Sequence, residues 1–182
     1  ITWTGDEGVG ITYEPGNVTG SVRFENTGTI TSATDKNVGM YAKTARNNGA
    51  YETENKGTIT LGDSASLNDP NVGMYTNATN AVTNPLINSG TITVGKNAVG
   101  VYGFKETNSG NINAGDGAVA MYSKGGNVDL TGGTINVGKN EAVAVYTVGN
   151  GQKISNTGTS LNIGDTSFGF VNVGTGNTIE SK

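Results

Sequence analysis

Cysteine and histidine are both missing from this chain of 182 residues. The first absence excludes a disulfide framework and every thiolate metal site. The second removes the commonest general base and the commonest metal ligand. A chain without cysteine is also compatible with export in unfolded form, where premature disulfides would block passage. Charge is sparse, at 14% of residues with a net charge of −4. No run of Lys or Arg forms a stripe that could track phosphates, so nucleic acid is disfavoured as a partner, and so is an anionic membrane surface. The longest apolar runs are four to five residues, far short of a bilayer span, so this segment is not expected to insert directly into a membrane. No charged-then-apolar secretory signal opens the chain. It begins on Ile1 rather than Met, which reads as one segment, 1–182, of a larger protein whose targeting and anchoring parts lie elsewhere.

What is abundant is Gly, at 30 residues, together with Asn and Thr, while Pro numbers only three. That balance does not suit a helical bundle, where Ala, Leu, Glu and Lys dominate. It suits strands joined by many tight turns. The stretch "NSGTITVGKNAVGVYG", residues 88–103, returns in altered form as "NTGTITSATDKNVGMYA", "NKGTITLGDSASLNDPNVGMYT" and "NSGNINAGDGAVAMYS". Units counted from Ile1, Ile30, Ile59, Ile92, Ile112, Ile135 and Leu161 are spaced by 29, 29, 33, 20, 23 and 26 residues. The period is irregular, but the parts keep a fixed order.

Each unit holds three strand-like pieces. The first is Ile-x-(apolar or small)-Gly, as at Ile92–Gly95. The second is Val-Gly-Met-Tyr or a variant, at 38–41, 72–75, 99–102, 119–122, 143–146 and 168–171. A third, weaker piece sets an apolar residue two positions before an Asn corner, as in Phe24-Glu25-Asn26 and Ile154-Ser155-Asn156, and it fails at Glu106 in the shortest unit. Alternation with period two indicates strands. Three strands per turn, none able to bury a face alone, specify an all-β fold: a right-handed parallel β-helix of about seven three-strand rungs, its hand taken from the crossover rule. Like residues then stack about 4.8 Å apart. A leucine-rich repeat would demand far more than five Leu, and the calcium-binding Gly-Gly-x-Gly-x-Asp repeat does not recur.

Stacking turns sequence columns into stripes. The column Asp63, Lys96, Asp116, Lys139, Asp165 alternates in sign and reads as a solvated ladder of ion pairs. Two acids on alternate rungs, separated by a lysine, poorly match the paired carboxylates of a glycosidase. The column Asn26, Asn55, Asn88, Asn108, Asn156 reads as stacked corners in which each amide bonds to the next rung. In Val-Gly-Met-Tyr, Val and Met are expected to point inward, leaving a bare outward strip of Gly or Ala beside an exposed ladder of Tyr41, Tyr75, Tyr102, Tyr122 and Tyr146. Such a ladder serves either as a contact surface or as rings stacked on one another under internal cover. Specificity in solenoids sits more often in insertions. The long ones fall in units two and three, and offer Lys43, Arg46, Asn47, Asn48, Tyr51, Leu67, Asp69, Asn77 and Asn80 as candidate binding residues.

The elements "NSGTITVG", "NVGMYA" and "AVGVYG", with their Thr, Asn and Gly surface, resemble the passenger repeats of bacterial type V autotransporters. The "GMY" rungs resemble those of the fusobacterial RadD-like outer-membrane adhesins. The resemblance runs through all seven units. It implies an extracellular stalk on the bacterial cell surface, anchored by an outer-membrane β-barrel outside these residues. Its partner would be a protein or glycan receptor on host cells or other bacteria. It supplies no catalytic residue, metal site or cofactor. Two rival readings remain: a polysaccharide-acting enzyme on the same fold, which would need clustered acids and a basic residue in one cleft, and a pure spacer with binding elsewhere.

Overall fold

Short period-two segments separated by glycine and asparagine turns cannot pair locally as hairpins here, because each unit repeats the same direction at the same place. They pair instead with their counterparts one unit away. The computed structural model describes residues 1–47, 49–78 and 84–182, with 21 strands and no helix among them. Coil 1 holds β1 (Thr2–Trp3), β2 (Val9–Tyr13) and β3 (Arg23–Asn26); coil 2 holds β4 (Thr29–Ser32), β5 (Val38–Ala42) and β6 (Glu52–Asn55). Coil 3 holds β7 (Thr58–Leu61), β8 (Val72–Thr76) and β9 (Leu86–Asn88); coil 4 holds β10 (Thr91–Val94), β11 (Val99–Gly103) and β12 (Glu106–Asn108). Coil 5 holds β13 (Asn111–Ala114), β14 (Val119–Ser123) and β15 (Val128–Leu130); coil 6 holds β16 (Thr134–Val137), β17 (Val143–Val148) and β18 (Lys153–Asn156). Coil 7 holds β19 (Ser160–Ile163), β20 (Phe168–Val173) and β21 (Thr178–Ser181).

The first, second and third strands of successive coils form three seven-stranded sheets, A, B and C, with every pairing parallel. This is the parallel β-helix the repeats specify. Register follows the sequence alignment: Ile59, Ile92, Ile112 and Ile135 lie in line, each without accessible surface. Full burial of one such side chain contributes about 1.5–3 kcal/mol, and the column is continuous, so the interior is one unbroken apolar stack. Sheet C adds the asparagine ladder. Asn26 Nδ2 donates to Asn55 Oδ1 at 2.8 Å, Asn55 to Asn88 at 2.9 Å, and Asn88 to Asn108 at 2.8 Å. Leu130 interrupts the column, and there Asn108 Nδ2 turns to the backbone carbonyl of Gly132.

Sheet B departs from the expected alternation. Met40, Met74, Met121 and Val145 are sealed in the core, and the tyrosines face out, as alternation requires. The valine column, however, faces out with the tyrosines. Val72, Val99, Val119 and Val143 form their own apolar cluster against Tyr75, Tyr102, Tyr122 and Tyr146, separate from the main core. The Gly or Ala column faces in, where Ala120 and Ala144 are fully buried in the main core. The physical reason is a bend. Val38 pairs with Val72 and Met40 with Met74, but the intervening Gly39 and Gly73 are skipped in the ladder. Two consecutive residues thus point inward as the chain turns the corner between sheets A and B. The inner side of that corner is tight: a Cβ on Gly39 would stand 2.7 Å from Ile59 Cγ2 and 2.6 Å from the Gly73 carbonyl. Among the described residues there is no bare outer strip.

The charged column is likewise bonded differently from an ion-pair ladder. Asp63 and Asp116 each accept the backbone N–H of the lysine one coil on, Lys96 and Lys139, at 2.8 Å. Within that column, side-chain charges meet only where Lys139 reaches Asp165 at 3.5 Å. Backbone donors hold register more firmly than two mobile side chains, which forfeit rotamer entropy when paired.

Candidate functional site

The five outward tyrosines form a continuous ladder, in which the Tyr41–Tyr75 and Tyr75–Tyr102 rings are tilted by 40° and 48° and the last two pairs are stacked within 9°. Successive ring centroids from Tyr41 to Tyr146 are 5.1, 5.4, 4.8 and 5.3 Å apart. The Tyr102 and Tyr122 rings are parallel to within 1°. The spacing is set by the strand separation, so the stack follows directly from the parallel register. Each inner ring is half-buried between its neighbours, and this desolvation, with neighbouring tyrosines adding to it, raises the phenol pKa of Tyr75, Tyr102 and Tyr122.

Beside the stack runs the valine row, and over both leans the loop of residues 63–71. Together Val72, Val99 and Val119, the rings of Tyr75, Tyr102 and Tyr122, and Leu67 with Pro70 enclose an open groove of about 450 Å³. No charged side chain lines it. Leu67 is 47% exposed, although the loop that carries it is well fixed. Asn71 Nδ2 donates to the carbonyls of Thr34 and Gly62 at 3.0 Å each. Ala65 N–H donates to Asp35, and Asp69 pairs with Lys36 at 3.2 Å. A fixed loop that holds an exposed leucine over an aromatic stack has the form of a contact surface, with rigid apolar area at low entropic cost. On the far flank of the stack a smaller hollow of about 180 Å³ joins Asn77, Phe104 and Lys124 to Tyr75 and Tyr102.

The candidate loop residues have different fates. Leu67 joins the tyrosines, as described. Lys43 sits 5.9 Å from the centre of the Tyr41 ring and pairs with Glu14 at 2.7 Å. Arg46 is exposed. Asn47 is a structural clamp: its amide accepts from Val18 N–H and donates to Val18 C=O. Asn77 accepts from Thr44 N–H at 2.9 Å. Tyr51 is no surface contact. It is 2% exposed, meets Tyr13 edge-on at 5.0 Å, and donates its hydroxyl to the Lys43 carbonyl. The wide first two coils need filling, and Val18 of the first with Ala45 and Tyr51 of the second fill them. Asn48 and Asn80 lie outside the described residues.

The valine row, Phe104 and Lys124 were not foreseen from sequence. The signal for the row was present: valine recurs at the head of Val-Gly-Met-Tyr, followed by a position that admits only Gly or Ala. Such a size limit marks a crowded interior, and it puts valine on the opposite side.

A second cluster lies on the outer face of sheet C, where Arg23 meets Glu25, Glu52 and Glu54, and Lys56 meets Glu25 at 2.7 Å. It borders a hollow of about 560 Å³ that Arg23, Glu52 and Pro85 help to line. Its Lys56 hydrogen bond holds the Glu25 carboxyl below its ordinary pKa. Among the described residues no three acidic side chains converge as a metal site.

Compared with known proteins, the chain matches the family model described as BigA third pectate lyase-like domain over residues 7–119. No curated protein and no solved structure matches it. The matched span begins ahead of β2 and runs to the head of β14, so it contains the groove-bearing loop and most of the tyrosine stack. With more than half of its length so matched, this chain belongs to the family of the BigA third pectate lyase-like domain.

Proposed function

We propose that this chain is a coil segment of a bacterial cell-surface passenger, of the autotransporter type its repeats resemble, and that it acts by contact rather than by catalysis. The observation that carries the reading is the uncharged groove of valines and stacked tyrosines beneath Leu67. Because the Tyr122 ring is stacked between those of Tyr102 and Tyr146, the groove there offers ring edges and valine methyls. That favours an uncharged, apolar stretch of a surface protein on a host cell or another bacterium over a sugar, which would need open ring faces. Each coil touches only its neighbours, so such a shaft can fold progressively as it leaves the cell.

The enzymatic alternative draws on one observation, the acids and bases beside the hollow near Arg23. A glycosidase needs one carboxyl held protonated and facing the substrate. In this cluster the acids are tied in ion pairs and Glu25 is shifted toward ionisation. The contact reading is therefore the stronger.

Adherence of the purified segment to candidate cells tests it, comparing wild type with Leu67→Asp and with a Tyr102→Ser/Tyr122→Ser double variant, each checked for retained β structure. Adherence should fall at least tenfold in both. Adherence unchanged in both variants would remove the groove, and none from the intact segment would favour the spacer.

A further inference from the structure

The shortest coil carries a residue that its column cannot accommodate as an ion. Along one inner column of sheet C, Leu86, Glu106 and Val128 follow in register, with Ile154 beyond. Glu106 has no accessible surface, and neither carboxyl oxygen has a hydrogen-bond partner among the described residues. The groups around it are Leu86 of β9, Val128 of β15, Thr76 of β8, Gly103 of β11 and Ser123 of β14. None of them is charged or titrates near neutrality. The Ser123 hydroxyl, the nearest donor, lies within hydrogen-bond reach of the carbonyls of Phe104, at 3.2 Å, and Gly126, at 3.0 Å, so its single hydrogen is already engaged. The nearest bases along the chain, Lys105 and Lys124, are exposed on the outside.

An unpaired carboxylate in such a place would face a desolvation cost with nothing to offset it. The neutral acid is the form that fits. Desolvation accordingly pushes the Glu106 carboxyl well above its ordinary pKa.

We propose that β12 is a pH-sensitive seam in the coil: local opening carries Glu106 from a sealed apolar interior into water, where it releases one proton to solvent. The seam is tightest in acid and loosens as the medium becomes more basic. Only Phe104 and Lys105 separate β12 from β11, which supplies Val99 and Tyr102 to the groove. Opening therefore also loosens the groove floor. That consequence rests on the contact reading above; the seam itself does not.

The test is backbone amide exchange of residues 103–109 in the whole chain, from about pH 5 to about pH 8, in wild type, Glu106→Gln and Glu106→Leu. Dividing the wild-type rate by the Glu106→Gln rate at each pH cancels the intrinsic base catalysis of exchange. Because opening releases one proton, the ratio should climb by up to about tenfold per pH unit. Glu106→Leu should be better protected than wild type at the basic end. A ratio that stays constant across the range overturns the proposal. Should the Gln variant not fold, Glu106→Leu serves as the reference, and a constant ratio against it is equally fatal. No partner enters this measurement, so failure of the groove variants to alter adherence leaves its outcome untouched.

Discussion

Replacing Gly73 by Val separates the two orientations that sheet B could have taken. A Cβ at this position would lie 2.5 Å from the Gly100 carbonyl oxygen and 2.9 Å from Ile92 Cγ2. The first obstacle is backbone, and it belongs to the next coil, so no rotamer change relieves it. The two further methyls of valine would press on the isoleucine column. Overpacking of this kind costs about 1–3 kcal/mol. For a chain of this length, 2 kcal/mol corresponds to a Tm lowered by roughly 4–8 °C. If the column faced solvent, the sign would reverse, because valine is the better strand former by up to about 1 kcal/mol and would meet nothing. Thermal unfolding followed by circular dichroism decides between these, with Gly73→Ala as the intermediate case, since alanine already occupies the same column at 120 and 144. A Gly73→Val chain as stable as wild type, or more so, would refute both the inward column and the outward valine row on which the groove depends.

Other expectations follow from single contacts. Asn88→Leu should lose about 2 kcal/mol in thermal or urea unfolding, because Asn108 Oδ1 is left buried without the donor it now has at 2.8 Å. Tyr51→Phe should cost about 1 kcal/mol for the lost bond to the Lys43 carbonyl. In alkaline spectrophotometric titration, the Tyr51 phenol, raised mainly by burial, should resist ionisation until the chain unfolds, and its early titration would contradict the burial. Glu25 and Glu106 should act on stability in opposite senses. Glu25 is depressed by its Lys56 hydrogen bond, so any stabilisation it gives is present above the ordinary carboxyl pKa and is lost as the pH falls through its lowered value. Glu106 is raised, so the folded chain binds the extra proton. Stability should therefore decline by up to about 1.4 kcal/mol per pH unit as the pH rises above about 4.3, until the buried carboxyl itself ionises. Unfolding of Glu106→Leu across the same range should lack that decline.

The coil architecture was readable because each column repeats one chemical demand. Ile59, Ile92, Ile112 and Ile135 need a dry interior, Asn26 to Asn108 need amide partners one rung away, and Tyr41 to Tyr146 need room on the outside; parallel in-register stacking satisfies all three. Two things were hidden. Period-two reasoning fails at a bend, and the Val-Gly-Met corner is one, so simple alternation puts the valines on the wrong side. Loop length is also silent about what fills a wider coil. Tyr51 reads as a polar-rimmed loop aromatic in sequence, yet it is enclosed with Tyr13, Phe24 and Val18. Leu67 was a candidate from its loop alone, and only the fold sets it against Tyr102 and Tyr122, tens of residues away.

The groove exists because the coils are unequal. Units of 29 to 33 residues in the first half give way at Ile92 to one of 20 and then one of 23. The 63–71 loop belongs to the last wide coil, while Val99 with Tyr102 and Val119 with Tyr122 belong to the two narrow coils that follow. A loop that would merely cover its own rung therefore overhangs the next two and turns a flat ladder into a walled channel. A uniform repeat would present the same tyrosine ridge at every rung, with no place distinguished from another. Shortening the loop to the length found in coil 4, by joining Ser64 directly to Asn71, should leave the tyrosine stack intact and abolish the wall. If adherence survives that deletion while the Tyr102→Ser/Tyr122→Ser variant loses it, the ridge alone makes the contact, and the step in coil length carries no functional weight.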